Sequence, residues 1–128
     1  MARSLTAFLK RENVPERGQL QQVIDMFGVS LKLDDAYAPF EFAGFLPCTL
    51  DGEDAGFELR FGKVDDPAPD GRDAMLSLKW TGDPREEAAA RVVGAALARG
   101  FDAIVRSDGG ATSLTADQLL EAASACLD

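Results

Sequence analysis

Carboxylates are the side chains this sequence supplies in greatest number for chemistry. Its 128 residues hold 22 Asp and Glu against 13 Lys and Arg, with two cysteines and no histidine, for a formal net charge of −9. The acids gather in two places. Asp51, Glu53 and Asp54 surround an Asp-Gly pair, and Asp65, Asp66, Asp70 and Asp73 fall in a segment broken by Pro67 and Pro69. Paired carboxylates can serve as general acid and base, or cleave glycosides. In loops rich in glycine and proline, however, charge is by default solvated. Glu58 alone sits inside an expected strand, where it alternates outward with Arg60 and suits a surface pair better than a catalytic acid. Without imidazole, Ser-His-Asp and Cys-His nucleophiles and nearly all zinc sites are excluded. No serine occupies a GxSxG elbow. The expectation is a chain with no catalytic, cofactor-binding or metal-ligating residues.

Three further patterns fall short of a site. Both acidic segments invite a calcium reading, but a loop starting at Asp66 has Ala68 third and Ser77 twelfth, and one starting at Asp51 has Ala55 fifth and Gly62 twelfth. Neither matches the EF-hand ligand positions. Ser107 to Ser113 is a glycine-rich loop between a strand and a helix, a place where phosphate can bind. It carries neither GxxxxGK[ST] nor GxGxxG, and Asp108 would repel the ligand. Cys48 and Cys126 stand far apart with no CxxC spacing, and read as buried thiols.

What remains is a surface. A pI of about 4.4 disfavours nucleic acid and anionic membranes, and favours fast encounter with a basic protein. Asp51, Glu53, Asp54, Asp65, Asp66, Asp70 and Asp73 form a steering surface if their two loops share one side of the sheet. Tyr37, Phe40 and Trp80 are candidate aromatic anchors. The aromatics Tyr37, Phe40, Phe42 and Phe45 pack as a lid or form an exposed patch, packing being the better reading. No run approaches the ~20 apolar residues of a membrane span. The N-terminus is too broken by polar residues for a signal-peptide core, so a cytoplasmic protein is expected.

The elements that must position these residues follow from periodicity. Leu46, Cys48 and Leu50, then Phe57, Leu59 and Phe61, then Leu76, Leu78 and Trp80 alternate with polar residues, as half-buried antiparallel strands do. Leu5, Phe8 and Leu9 have helical spacing, which predicts a helix over 3–13 that Pro15 ends. A second helix carries Leu20, Val23, Ile24 and Phe27, with Gly28 as its cap. Val29, Leu31 and Leu33 suggest a short strand. Asp83, Pro84 and Glu86 open a long alanine-rich helix as N-cap, first turn and capping box, and Gly100 ends it. A buried strand over 101–106 precedes a last helix capped by Thr115 and Gln118. The expected fold is a single α+β domain over 1–128. It has a small antiparallel or mixed sheet of about four to five strands, two N-terminal helices and a C-terminal helix.

Phe45-Leu46-Pro47-Cys48-Thr49-Leu50-Asp51-Gly52, Ala55-Gly56-Phe57-Glu58, Trp80-Thr81-Gly82-Asp83 and the closing Leu114-Thr115-Ala116-Asp117 together resemble a group of small uncharacterised bacterial proteins of the toxin-immunity type. The resemblance covers roughly Phe42 to the C-terminus and rests on turn and capping residues. It implies a non-catalytic protein that binds and neutralises a cognate basic bacterial toxin through its acidic surface, as a monomer or weak homodimer with no cofactor, nucleic acid or membrane. An adaptor domain of a cytosolic assembly is the alternative, and a small carboxylate-dependent enzyme the next.

Overall fold

The computed structural model describes residues 3–64, 71–107 and 113–127. Seven antiparallel strands form one sheet in the order β2-β3-β4-β5-β1-β6-β7. The chain runs β1 (Ser4–Leu9), a 3₁₀ turn (Arg11–Asn13), α1 (Arg17–Met26), β2 (Leu31–Leu33), β3 (Ala43–Leu50), β4 (Glu53–Lys63) and β5 (Ala74–Lys79). It continues with α2 (Pro84–Gly100), β6 (Ile104–Ser107), β7 (Ser113–Leu114) and α3 (Ala116–Cys126). The α+β class holds. The sheet is larger than the sequence suggested, and the mixed alternative gives way to purely antiparallel pairing.

The expected helix over 3–13 is a strand. Leu5, Ala7 and Leu9 are buried while Thr6 and Phe8 lie half-buried on the other face. Leu5, Phe8 and Leu9 satisfy a helical period, but Leu5, Ala7 and Leu9 satisfy a period of two equally well. Pairing decides between them, because β1 is hydrogen-bonded to β5 on one side and β6 on the other. Only one helix therefore precedes the β2–β5 meander.

α2 lies across the helix-covered face, with its residues Ala88 to Ala90 and Val92 to Leu97 buried among the sheet, α1 and α3. Its small side chains permit close contact: a Cβ on Gly94 would stand 3.3 Å from Leu5 Cδ1. Asp83 Oδ1 accepts the Arg85 N–H at 2.8 Å, as an N-cap should. Glu86 does not complete the box but accepts the Thr81 hydroxyl at 2.9 Å. At the other end, Phe101 and Ala103 N–H both donate to the Leu97 carbonyl, and Asp102, not Gly100, takes the left-handed turn at φ 58°. Gly100 is needed for space instead, since a Cβ there would meet Val23 at 2.7 Å. This turn uses up 101–103, so β6 starts only at Ile104.

α3 packs on α2, and its capping box forms as expected: Gln118 N–H donates to Thr115 Oγ1, and Thr115 N–H to Gln118 Oε1. α1 packs on α2 and closes the β2 edge. There the Gln21 side-chain amide donates to the Leu31 carbonyl at 2.6 Å and accepts the Leu33 N–H at 3.0 Å. Edge backbone groups that would otherwise invite a foreign strand are thereby occupied. No helix among the described residues is long and apolar enough to cross a membrane.

Candidate partner-binding site

The β3–β4 connection is tighter than an acidic loop. Asp51 and Gly52 both have positive φ, 54° and 80°, the geometry of a two-residue hairpin turn whose twist matches its strands. Asp51 tolerates the conformation as aspartate does, and Gly52 has no Cβ to oppose it. The strand resumes at once, so Glu53 and Asp54 are pleated residues with assigned faces. Glu53 points to the helix side, where it pairs with Arg85. Asp54 and Thr49 form a cross-strand pair on the opposite side.

Behind this turn runs a cleft of about 340 Å³. Ala88 and Val92 of α2 form its floor. Phe27 to Ser30, with Leu50 and Asp51, make one wall, and Leu120, Ala123 and Leu127 the other. Asp51 is the single charged side chain among the lining residues. Three large apolar side chains are exposed among the described residues: Met26 (82%), Phe45 (51%) and Leu127 (45%). Leu127 lines this cleft and Met26 directly precedes Phe27 in its wall. The volume and apolar lining fall within the range of ordinary binding pockets.

The structure separates Asp73 from the acids of the β3–β4 turn. Glu53 opens β4 and Lys63 closes it, and the backbone of Val64, beyond that end, is bonded to Asp73. At about 3.4 Å per residue the two ends of β4 lie roughly 34 Å apart. Asp73 therefore cannot share a patch with Asp51, Glu53 and Asp54. In a meander, successive turns fall at opposite ends of the sheet, so Asp73 lies at the end of β4 away from the β3–β4 turn. Asp73 accepts the Arg11 N–H at 2.8 Å. Asp65, Asp66 and Asp70 lie outside the described residues.

The aromatic anchors also divide. Tyr37 is buried; its hydroxyl donates to the Pro15 carbonyl at 2.9 Å and its ring meets Phe61 edge-on at 5.8 Å. Burial first, then Glu16, raises its pKa. Phe40 is half-buried under the Arg11 guanidinium, 3.9 Å from its ring centroid. Trp80 is 7% exposed, with the Arg91 guanidinium 5.5 Å from its ring centroid. The exposed aromatic is Phe45, whose ring lies over Gly56. Its parity announced this, since position 45 is out of step with Leu46, Cys48 and Leu50. The cleft had no comparable signal, because it is assembled from four separated segments.

The thiols are free, Cys48 buried and Cys126 half-buried. Burial, assisted by the nearby Glu86 charge, pushes Cys48 up to about 12. Burial and the hydrogen bond the thiol donates to Glu87 raise Cys126 as well. Among the described residues no group of three or more Cys, Asp or Glu side chains is placed to hold a metal ion. Comparison with protein-family models, curated proteins and solved structures found no match.

Proposed function

We propose that this chain is a non-catalytic binding protein of the immunity type, one that holds and neutralises a basic bacterial toxin. The observation that carries this reading is the apolar cleft between α3 and the 27–30 wall, with Asp51 as its one charged lining residue and the acidic β3–β4 turn at its mouth. A partner that offers an apolar side chain flanked by cations finds a desolvated centre and a charged rim there, the division of labour seen in protein interfaces. The net charge of −9 draws such a partner in over a longer range. Leu127 and Phe27 supply apolar contact and Asp51 the central carboxylate.

The test is affinity capture from the organism that encodes the chain, with mass spectrometry of what is retained. We expect one stoichiometric, basic, toxin-like protein that salt releases. Asp51→Asn and Leu127→Asp should each weaken its capture by about tenfold, the loss of roughly 1.4 kcal/mol. Recovery of no basic partner, or equal recovery on both variants, would sink the proposal.

A further inference from the structure

The face of the sheet opposite the helices carries its own charge pattern, opposite in sign to the chain. Strand register places Arg106 of β6 beside Thr6 of β1, Thr6 beside Ser77 of β5, and Ser77 beside Arg60 of β4. One row thus runs straight across four strands as Arg-Thr-Ser-Arg. Lys79 stands two residues along β5 from Ser77, on the same face. At about 4.8 Å per strand, the two arginines are anchored roughly 14 Å apart with two hydroxyl groups between them. The next row on the same face is apolar, with Phe8 beside Met75, both half-buried.

Two observations show that this row lacks partners among the described residues. In a protein with 22 acids, neither Arg60, Lys79 nor Arg106 makes an ion pair among the described residues. Glu58 is in register with Lys79 and remains exposed. In addition, the Nε of Arg106 is buried with no hydrogen-bond partner, while its guanidinium carbon lies 5.9 Å from the Phe8 ring centroid. A buried donor left unmade is costly, and an acceptor supplied from outside would satisfy it.

We propose that this open face binds an acidic polypeptide segment, which sets carboxylates on Arg60 and Arg106 and an apolar side chain on Phe8 and Met75. Guanidinium groups pair with carboxylates bidentately, and the serine and threonine hydroxyls can donate to the same oxygens. In an extended segment, side chains on one face recur about every 6.8 Å. Acids four residues apart therefore span the two arginines. A nucleic acid would offer anions too, but its denser charge is opposed more strongly by the chain's negative field than a segment with a few carboxylates is. The site is independent of the cleft, and its partner has the opposite charge.

The full chain, labelled with ¹⁵N, would be titrated at low salt with a synthetic peptide of repeated Asp-Leu-Glu triplets. Oligothymidylate and inorganic phosphate would be titrated in parallel. We expect the peptide to shift the amides of Thr6, Ser77, Arg60 and Arg106 and to bind more tightly than either other probe. Arg60→Glu, at an exposed position, should weaken it about tenfold, and Arg106→Gln should weaken it without unfolding the chain. Shifts confined to other regions, no shifts at all, equal binding by phosphate alone, or tighter binding by oligothymidylate would each overturn the proposal.

Discussion

On the helix side of the sheet, Leu5, Phe57, Leu59, Leu76 and Leu78 are at most 1% exposed. One residue further along the same strands, on the other side, stand Thr6, Glu58, Arg60, Ser77 and Lys79. Identical backbone therefore carries two different tasks. Burying each large side chain on the first face stabilises the fold by about 1.5–3 kcal/mol. The second face contributes little to stability, and its side chains are correspondingly free to be chosen for what they bind. The two candidate surfaces divide along the same line: the acidic cleft belongs to the helix layer, and the arginine row to bare sheet.

The sharpest test of that division compares neighbours. Leu76→Ala, at the centre of the covered face, should cost about 2–5 kcal/mol, whereas Met75→Ala beside it should cost less than about 1 kcal/mol. Denaturant unfolding measures both, and equal losses would mean that the open face is a second core. Gly56 is the exception expected on the open side. At φ 152°, a Cβ there would lie 2.4 Å from the Phe45 ring and 2.8 Å from the Leu46 carbonyl oxygen. Because one of those neighbours is backbone, Gly56→Ala should cost about 1–3 kcal/mol and change the fluorescence-silent Phe45 environment seen by NMR. The last test concerns pH and Cys48 on the covered face. Its pKa is raised from 9.0 to about 12, so folding favours the protonated thiol. That contribution is fully present below pH 9 and is lost as pH rises toward 12. About 1 kcal/mol should be gone by pH 10, and Cys48→Ala should flatten that part of the curve in alkaline denaturation.

Much of the covered face was legible in the sequence, because a strand with one buried side alternates visibly. Leu46 to Leu50, Phe57 to Phe61 and Leu76 to Trp80 all lie where their period puts them. β1 was not legible. Six residues with apolar side chains at positions 5, 7, 8 and 9 fit both periods, and the deciding hydrogen bonds come from strands some 70 and 100 residues away in sequence. β7, two residues long, is too short for any period. The acids of the β3–β4 turn were visible as a cluster. Their separation from Asp73 was not, since it follows from the length of β4 and the direction of a meander. The arginine row was the least visible feature of all: Thr6, Arg60, Ser77 and Arg106 become neighbours only through register.

The position of β1 also sets the order in which this molecule can be completed. Of the described strands it is made first, yet both its neighbours arrive later, β5 at Ala74–Lys79 and β6 at Ile104–Ser107. The β2–β5 meander can pair from local turns while synthesis continues. β1 can dock on β5 partway through, but one of its edges stays open until β6 has been made. Closing loops of that length is slow, so the nascent chain spends that interval with an unpaired strand edge.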